Sequence, residues 1–153
     1  MKASIKKIDQ EFKEFAEAHL QIHSYFFGDF FETYSQHQPE YCSLLVNINN
    51  ASIQEAYVVL QIELMVIDKT FDGIENAVDV ESDTLQILND IVMVMKSSTR
   101  WQSFGVVDAQ SQARKLVQKG GDTVNGWYLT MNFKVKKVEQ GWCDLPVENY
   151  SYE

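Results

Sequence analysis

One segment of the sequence places oxygen-bearing side chains at the spacing of a calcium-binding loop. The residues from Asp68 to Asp79 carry oxygen ligands at loop positions 1, 3, 5, 9 and 12 and a glycine at position 6, as an EF-hand loop does. The match is incomplete, because Asp79 replaces the bidentate glutamate and Glu75 stands at an apolar position. Since a strand, and not a helix, is predicted before Asp68, we interpret the segment as an acidic loop, with calcium binding as the alternative.

Other chemistry-bearing residues give weaker patterns. His19 and His23 are four residues apart on a predicted helix, which is metal-ligand spacing, but Leu20 follows His19 where a zinc protease has its glutamate. His19 also lies on the apolar stripe, which favours a core or interface histidine. No serine lies in a nucleophile elbow, and Cys42 and Cys143 lack metal-site spacing, so we expect reduced thiols, no catalytic residues and no cofactor.

The composition indicates one folded domain. The chain has 153 residues, of which 45% are hydrophobic and 23% charged, enough for a single core. No signal-peptide core follows Met1 and no apolar run approaches the roughly 20 residues that span a bilayer, so we expect synthesis in the cytoplasm and no membrane contact. The net charge of -9 argues against specific nucleic-acid binding, which relies on clustered bases.

Acids and bases occupy different parts of the sequence. Residues 55–90 hold nine acids and one base, whereas residues 96–137 hold eight bases and two acids. If the two segments lie on different faces, the acidic side of one copy would meet the basic side of the next in a head-to-tail ring, the alternative being two solvated faces of a monomer. The candidate interface or lumen acids are Asp68, Asp72, Glu75, Asp79, Glu81 and Asp83, and the candidate interface bases are Arg100, Arg114, Lys115 and Lys119.

Hydrophobic periodicity predicts the helices. A spacing of three and four from Ile5 to about Phe27 predicts a long N-terminal helix. A central helix is predicted from an N-cap at Asp83 to about Lys96. Its predicted buried stripe is Leu85, Leu88, Ile91, Val92 and Met95. Aromatic residues crowd the end of the first helix, and four of them are candidate interface residues: Phe26, Phe27, Phe30 and Phe31.

Alternating patterns predict the strands. Period-two alternation predicts strands over Ala56–Ile67 and Val124–Val138, with another at Tyr41–Ile48. The segment between residues 101 and 121 is read as a short strand at Phe104–Val107 and a helical turn at Gln112–Gln118. The order predicts a single α+β domain over residues 1–153, with an antiparallel sheet, the long N-terminal helix and the central helix on one face, and an extended C-terminal arm at about residues 143–153.

Four pieces of the sequence, in this order, resemble a known family. They are His19–Asp29, the Asp68 loop after its strand, Val80–Ile91, and the Gly126-Trp127 strand with Cys143-Asp144-Leu145-Pro146. Together they resemble the small head-tail connector and tail-completion proteins of tailed bacteriophages, particularly in phages of Bacteroidetes. The tail-terminator type is the nearest in element order.

The resemblance implies a virion structural protein made in the host cytoplasm. Such proteins form rings at the head-tail junction or cap the tail tube, and their partners are copies of themselves and other connector or tail proteins. Acidic loops facing the lumen would repel DNA phosphates and let the genome pass. The resemblance transfers no residue roles, because the work of the family is done by interfaces. The alternative is a soluble acidic binding or regulatory module that acts as a monomer or dimer, and a small enzyme ranks third.

Overall fold

The computed structural model describes residues 4–30, 32, 40–70, 76–108, 111–118 and 123–137. The elements run in the order α1 (Ile5–Ala18), β1 (Ser24–Phe27), β2 (Ser43–Ile53), β3 (Tyr57–Lys69), α2 (Ala77–Ser97), α3 (Thr99–Gln102), β4 (Gly105–Val107), β5 (Gln112–Gln118) and β6 (Val124–Lys136). The α+β class is therefore confirmed. The predicted arm at residues 143–153 lies outside the described residues.

The six strands form one mixed sheet. Its order is β1-β2-β3-β6-β4, and β5 also pairs with β6. Strand β1 runs parallel to β2, with Ser24 opposite Ser43 and Phe27 opposite Val46, while the other pairs are antiparallel. The prediction of a purely antiparallel sheet is wrong at β1.

The N-terminal helix is shorter than its hydrophobic pattern predicts. It spans 14 residues against 21 for α2 and ends at Ala18, where the His19 N–H bonds back to the carbonyls of Phe15 and Ala16. The predicted extension to Phe27 is wrong because residues 24–27 form β1. Aromatic side chains fit a pleated, half-buried surface, and pairing with β2 sends Tyr25 and Phe26 to opposite faces of the sheet.

The helices cover one face of the sheet. Ile8 and Phe12 of α1 and Ile87 and Ile91 of α2 are fully or almost fully buried against it. A chain of aromatic rings closes this core, in which Phe12, Trp101, Phe104 and Phe133 lie 5.0 to 6.0 Å apart between successive ring centroids. This face therefore supplies most of the apolar burial that stabilises the fold.

Helix α2 begins earlier than predicted and is rotated relative to the predicted stripe. It starts at Ala77, not after an N-cap at Asp83, because Glu81 in its first turns is bonded to β6: the Trp127 indole N–H donates to the Glu81 carbonyl at 2.8 Å. Thr84 faces the core, and Leu85 is 39% exposed. The prediction of a buried Leu85 is wrong.

Segment 112–118 is a strand, so the predicted helical turn there is wrong. Its pairing with β6 places Ala113 and Lys115 on the helix-covered face and Leu116 on the other face. That second face carries a smaller apolar cluster built on Leu45, Met65 and Ile67, with partly buried side chains packed around it. Beyond this cluster the second face is largely polar.

The sheet has two unlike edges. At one edge β1 covers only residues 43–46 of β2, so that from Asn47 to Ile53 the outer side of β2 has no strand partner in the described part of the chain. At the other edge β4 and β5 follow one another along β6. Within the ranges that the structure describes, no helix has the length and apolarity to cross a membrane.

Candidate functional site

The acidic segment does not form one continuous surface. Asp68, at the end of β3, and Asp83, in α2, line a cavity of about 230 Å³ together with His23, Tyr41 and Cys42. We call this space the acidic cavity. Its two carboxylates come from different elements of the fold that the β3–α2 packing brings together.

The remaining acids have separate surroundings. The Glu81 carboxylate forms an ion pair with Lys115 at 2.6 Å and accepts a hydrogen bond from the Asn125 amide at 3.2 Å. Asp79 is exposed on the first turn of α2. Asp72 and Glu75 lie outside the described residues, and with them the middle of the predicted calcium loop. Their roles at an interface or in a lumen stay predictions.

Two of the predicted interface bases form ion pairs within the chain. Arg100 lies 2.6 Å from the buried carboxylate of Glu11 through Nε and 2.6 Å from Glu14 through Nη2. Hydrogen bonds from Gln10 and Arg100 lower the pKa of Glu14. The ion pairs of Arg100 therefore link α3 to α1, and the ion pair of Lys115 links β5 to α2. An interface between copies that used Arg100 or Lys115 would have to compete with these ion pairs within the chain.

The other two predicted interface bases are Arg114 and Lys119. Arg114 is exposed on β5, next to Tyr128 of β6 in the sheet register. Lys119 lies outside the described residues. The three described bases thus lie on α3 (Arg100) and on opposite faces of β5 (Arg114 and Lys115).

The described residues among the predicted interface aromatics pack on opposite faces of the sheet. Phe27 packs against the main core, while Phe26 and Phe30 pack against the smaller cluster on the second face. Phe30 lies edge-on to Tyr128, with ring centroids 6.5 Å apart. Phe31 lies outside the described residues. The three described phenylalanines are half-buried in their own chain, and their part in an interface stays a prediction.

The two histidines are not on one helix. His19 is the C-cap of α1, its ring is tilted against that of Phe15, and it lies 3.7 Å from the Asp90 carboxylate, whereas His23 precedes β1. The predicted helical spacing of four is therefore lost. No group of three histidine, cysteine, aspartate or glutamate side chains within the described ranges is arranged to hold a metal ion.

A polar cluster on the second face was not predicted from the sequence. The Glu63 carboxylate accepts hydrogen bonds from the Asn47 amide at 3.2 Å, the Asn49 amide at 3.0 Å and the Tyr128 hydroxyl at 2.7 Å. Thr130 donates in turn to the Tyr128 oxygen. Burial and the hydrogen bond to Glu63 raise the pKa of Tyr128, so this phenol is a neutral donor at pH 7. The residues of this polar cluster lie on β2, β3 and β6 and link the three strands.

The Cys42 thiol at the acidic cavity is expected to be inert. Burial, reinforced by the charges of Asp68 and Asp83, raises its pKa to about 12 from 9.0. In a Cys143→Ser background, native Cys42 should react with iodoacetamide at pH 8 only as fast as the protein opens, because the thiolate is the nucleophile. Reaction at the rate of a free thiol would contradict the burial.

The raised pKa also gives Cys42 a pH-dependent contribution to stability. The folded pKa exceeds the ordinary one, so burial of the neutral thiol stabilises the fold fully below pH 9 and progressively less as the pH rises towards 12. One such group changes the unfolding free energy by at most about 1.4 kcal/mol per pH unit. Cys42→Ala should therefore flatten the loss of stability that denaturant titrations measure between these pH values. An unchanged slope would count against this assignment.

A groove lies between α2 and the start of β5. It has a volume of about 720 Å³ and is lined by Leu85, Leu88, Asn89, Val92, Met93 and Lys96 of α2 and by Ser111, Gln112, Ala113 and Leu129. We call it the helix–strand groove. Met93 is 53% exposed along it, so apolar surface faces solvent at the sheet edge opposite to the free edge of β2.

No protein-family model matches the chain, and no curated protein matches it.

Proposed function

We propose that this chain is a structural subunit of a tailed-phage virion, forming a ring at the head-tail junction or at the end of the tail. The observation that carries the proposal is a pair of unlike surfaces, at opposite edges of the sheet, that no described helix or strand covers. One is the outer side of β2 with the exposed Ile53, and the other is the helix–strand groove. Together with the resemblance in sequence, this geometry favours assembly over catalysis.

Unlike surfaces favour a ring because of how symmetric assemblies form. A two-fold dimer uses the same patch on both copies, whereas a head-to-tail contact uses two different patches and, when its rotation closes, makes a ring. Each copy of this chain would offer β2 to one neighbour and its groove to another. The polar cluster on Glu63 supports a scaffold role, because three hydrogen bonds hold its carboxylate between strands.

The exposed acids suit a ring through which DNA passes. Asp79 and Asp83 are both exposed on α2, and the whole chain carries a net charge of -9. Carboxylates facing a lumen would repel phosphates and keep the genome from adhering to the wall. The partners in this proposal are further copies of the chain and the neighbouring connector or tail proteins.

Light scattering on a size-exclusion column, at low and high salt and over a range of concentrations, tests this proposal. We expect a discrete assembly of several copies, with negative-stain images that show closed rings. Charge contacts between copies would be screened by salt, so high salt should loosen the assembly. A monomer under every condition, which also fails to join purified tail particles, would overturn the ring proposal.

A monomer would favour the second candidate, an acidic binding module. The acidic cavity is the observation that favours this alternative, since Asp68 and Asp83 converge on a space of about 230 Å³. Its expected partners would be basic peptides, and binding would weaken with added salt.

A further inference from the structure

We propose that the tip of the β2–β3 hairpin of one copy docks in the helix–strand groove of the next copy. This inference rests on the proposed ring and names the contact that would build it. The tip is the segment from Ile53 to Tyr57, and the receiving walls are Leu85, Val92 and Met93.

The hairpin tip presents an exposed apolar side chain on a backbone that hydrogen bonds keep fixed. Ile53 is 79% exposed although it pairs with Val58 across the hairpin. The turn is fixed by a hydrogen bond from the Gln54 N–H to the Tyr57 carbonyl at 2.8 Å. A second bond, from the Lys137 N–H to the Ala56 carbonyl, ties the turn to the end of β6. A tip held in this way loses little entropy on docking.

The groove offers a matching environment. Its volume of about 720 Å³ exceeds that of one aliphatic side chain and leaves room for the neighbouring residues of a hairpin. Leu85 and Met93 are partly exposed along its wall, and docking would remove this apolar area from water. The Ser111 hydroxyl at its rim is buried and has no hydrogen-bond partner among the described residues, and the exposed Gln112 stands next to it. These groups could bond the polar backbone of an incoming turn.

The charges of the two surfaces are complementary. Glu55 is the charged residue of the hairpin between residues 48 and 59, and it is exposed. Lys96 is the charged residue among the described residues that line the groove. An acid beside the apolar tip thus meets a base beside the apolar walls, which sets the orientation of docking.

A second copy of this chain is the occupant that these features favour. Both halves of the match lie on the same chain, at opposite edges of one sheet, so every copy can insert its tip into one neighbour and receive a tip from another. A partner of other origin would have to reproduce the apolar tip and its adjacent acid independently.

Disulfide trapping tests the contact directly. In a Cys143→Ser background, Ile53→Cys and Met93→Cys are combined in one chain and the protein is oxidised with diamide. Cys42 remains, because its thiol is 5% exposed. We expect a ladder of covalent oligomers beyond the dimer on non-reducing gels. Either single variant has one accessible thiol and should stop at the dimer. A matched control joins Ile53→Cys to Asn132→Cys, an exposed position on the second face of the sheet.

A charge exchange provides an independent test. Glu55→Lys and Lys96→Glu should each weaken assembly at low salt by at least several-fold in the concentration at half-assembly, and the double exchange should restore most of it. Weaker assembly of the two single variants would not by itself demonstrate the contact, since each substitution also changes the net charge of the chain. Failure of the double exchange to restore assembly would count against this orientation.

The outcomes separate the docking contact from the ring. Rings that form with no ladder above the control would overturn the docking contact and leave the proposed function standing. A ladder accompanied by open filaments, and no closed ring, would support the docking contact and overturn the ring. If the protein formed neither a ladder nor any assembly at the highest attainable concentration, and also failed to join purified tail particles, both proposals would be overturned.

Discussion

Gly126→Ala is expected to cost about 4 kcal/mol or more of folding free energy, enough to unfold an average domain of this size at modest denaturant concentrations. A Cβ at position 126 would overlap the Val66 carbonyl oxygen and lie 2.8 Å from the Ile67 Cα. Both are backbone atoms of β3, which pairs with β6 along its whole length. No side-chain rotation can relieve such an overlap, so the two central strands would have to separate.

Gly105→Ala provides a matched control for this overlap. Its added Cβ would overlap the end of the Phe133 ring, with Phe133 Cε1 at 2.7 Å, and would meet no backbone atom this closely. Because a side chain can shift where a strand cannot, we expect a loss of about 1–3 kcal/mol. Urea denaturation followed by circular dichroism measures both losses. Equal stability of the Gly126→Ala variant and the parent would show that the strands are further apart than described.

Phe133→Ala is expected to lose about 3–5 kcal/mol of unfolding free energy, the range for removing a fully buried aromatic ring. Phe133 is fully buried on β6, and its ring meets those of Trp101 and Phe104 at centroid distances of 5.7 and 6.0 Å. Its removal would leave a cavity between the sheet and α3. The same denaturant titration measures the effect, and the slope with denaturant should stay constant if the fold is kept.

Variants that remove different amounts of side-chain volume test whether the loss of stability comes from packing. Phe133→Leu keeps part of the volume and should lose clearly less than the alanine variant, while Lys136→Ala changes a partly exposed side chain of the same strand and should stay within about 0.5 kcal/mol. Losses of similar size in all three variants would indicate a general weakness of β6 instead of a cavity.

The long elements could be predicted from the sequence because each carries its own pattern. Strands β3 and β6 alternate over most of their length, residues 57–64 of β3 and 128–136 of β6, so their bounds follow closely from period two. The short strands β1 and β5 carry no such pattern. Their strand state depends on pairing with other strands, residues 43–46 for β1 and 124–130 for β5, and the propensity of the short segments themselves does not reveal this pairing.

The candidate surfaces were less predictable than the fold. The identities of the acids were visible in the sequence, but the convergence of Asp68 and Asp83 depends on how α2 packs beside the end of β3. The polar cluster shows the same dependence. Asn47, Glu63 and Thr130 are neighbours only because the sheet register sets Asn47 opposite Glu63 and Glu63 opposite Thr130. Nothing in their sequence spacing indicates that they meet.

The central position of β6 has a consequence for how the molecule is made. This strand pairs with β3, β4 and β5, although it follows all three in the chain. During synthesis β3 emerges from the ribosome long before β6, its second partner strand. Strands β4 and β5 have no described strand to pair with until β6 follows. The sheet therefore closes late and through contacts between distant residues, which makes folding slow for a chain of this length. A nascent fragment that stops before β6 would expose the apolar face of β3 and depend on chaperones to remain soluble.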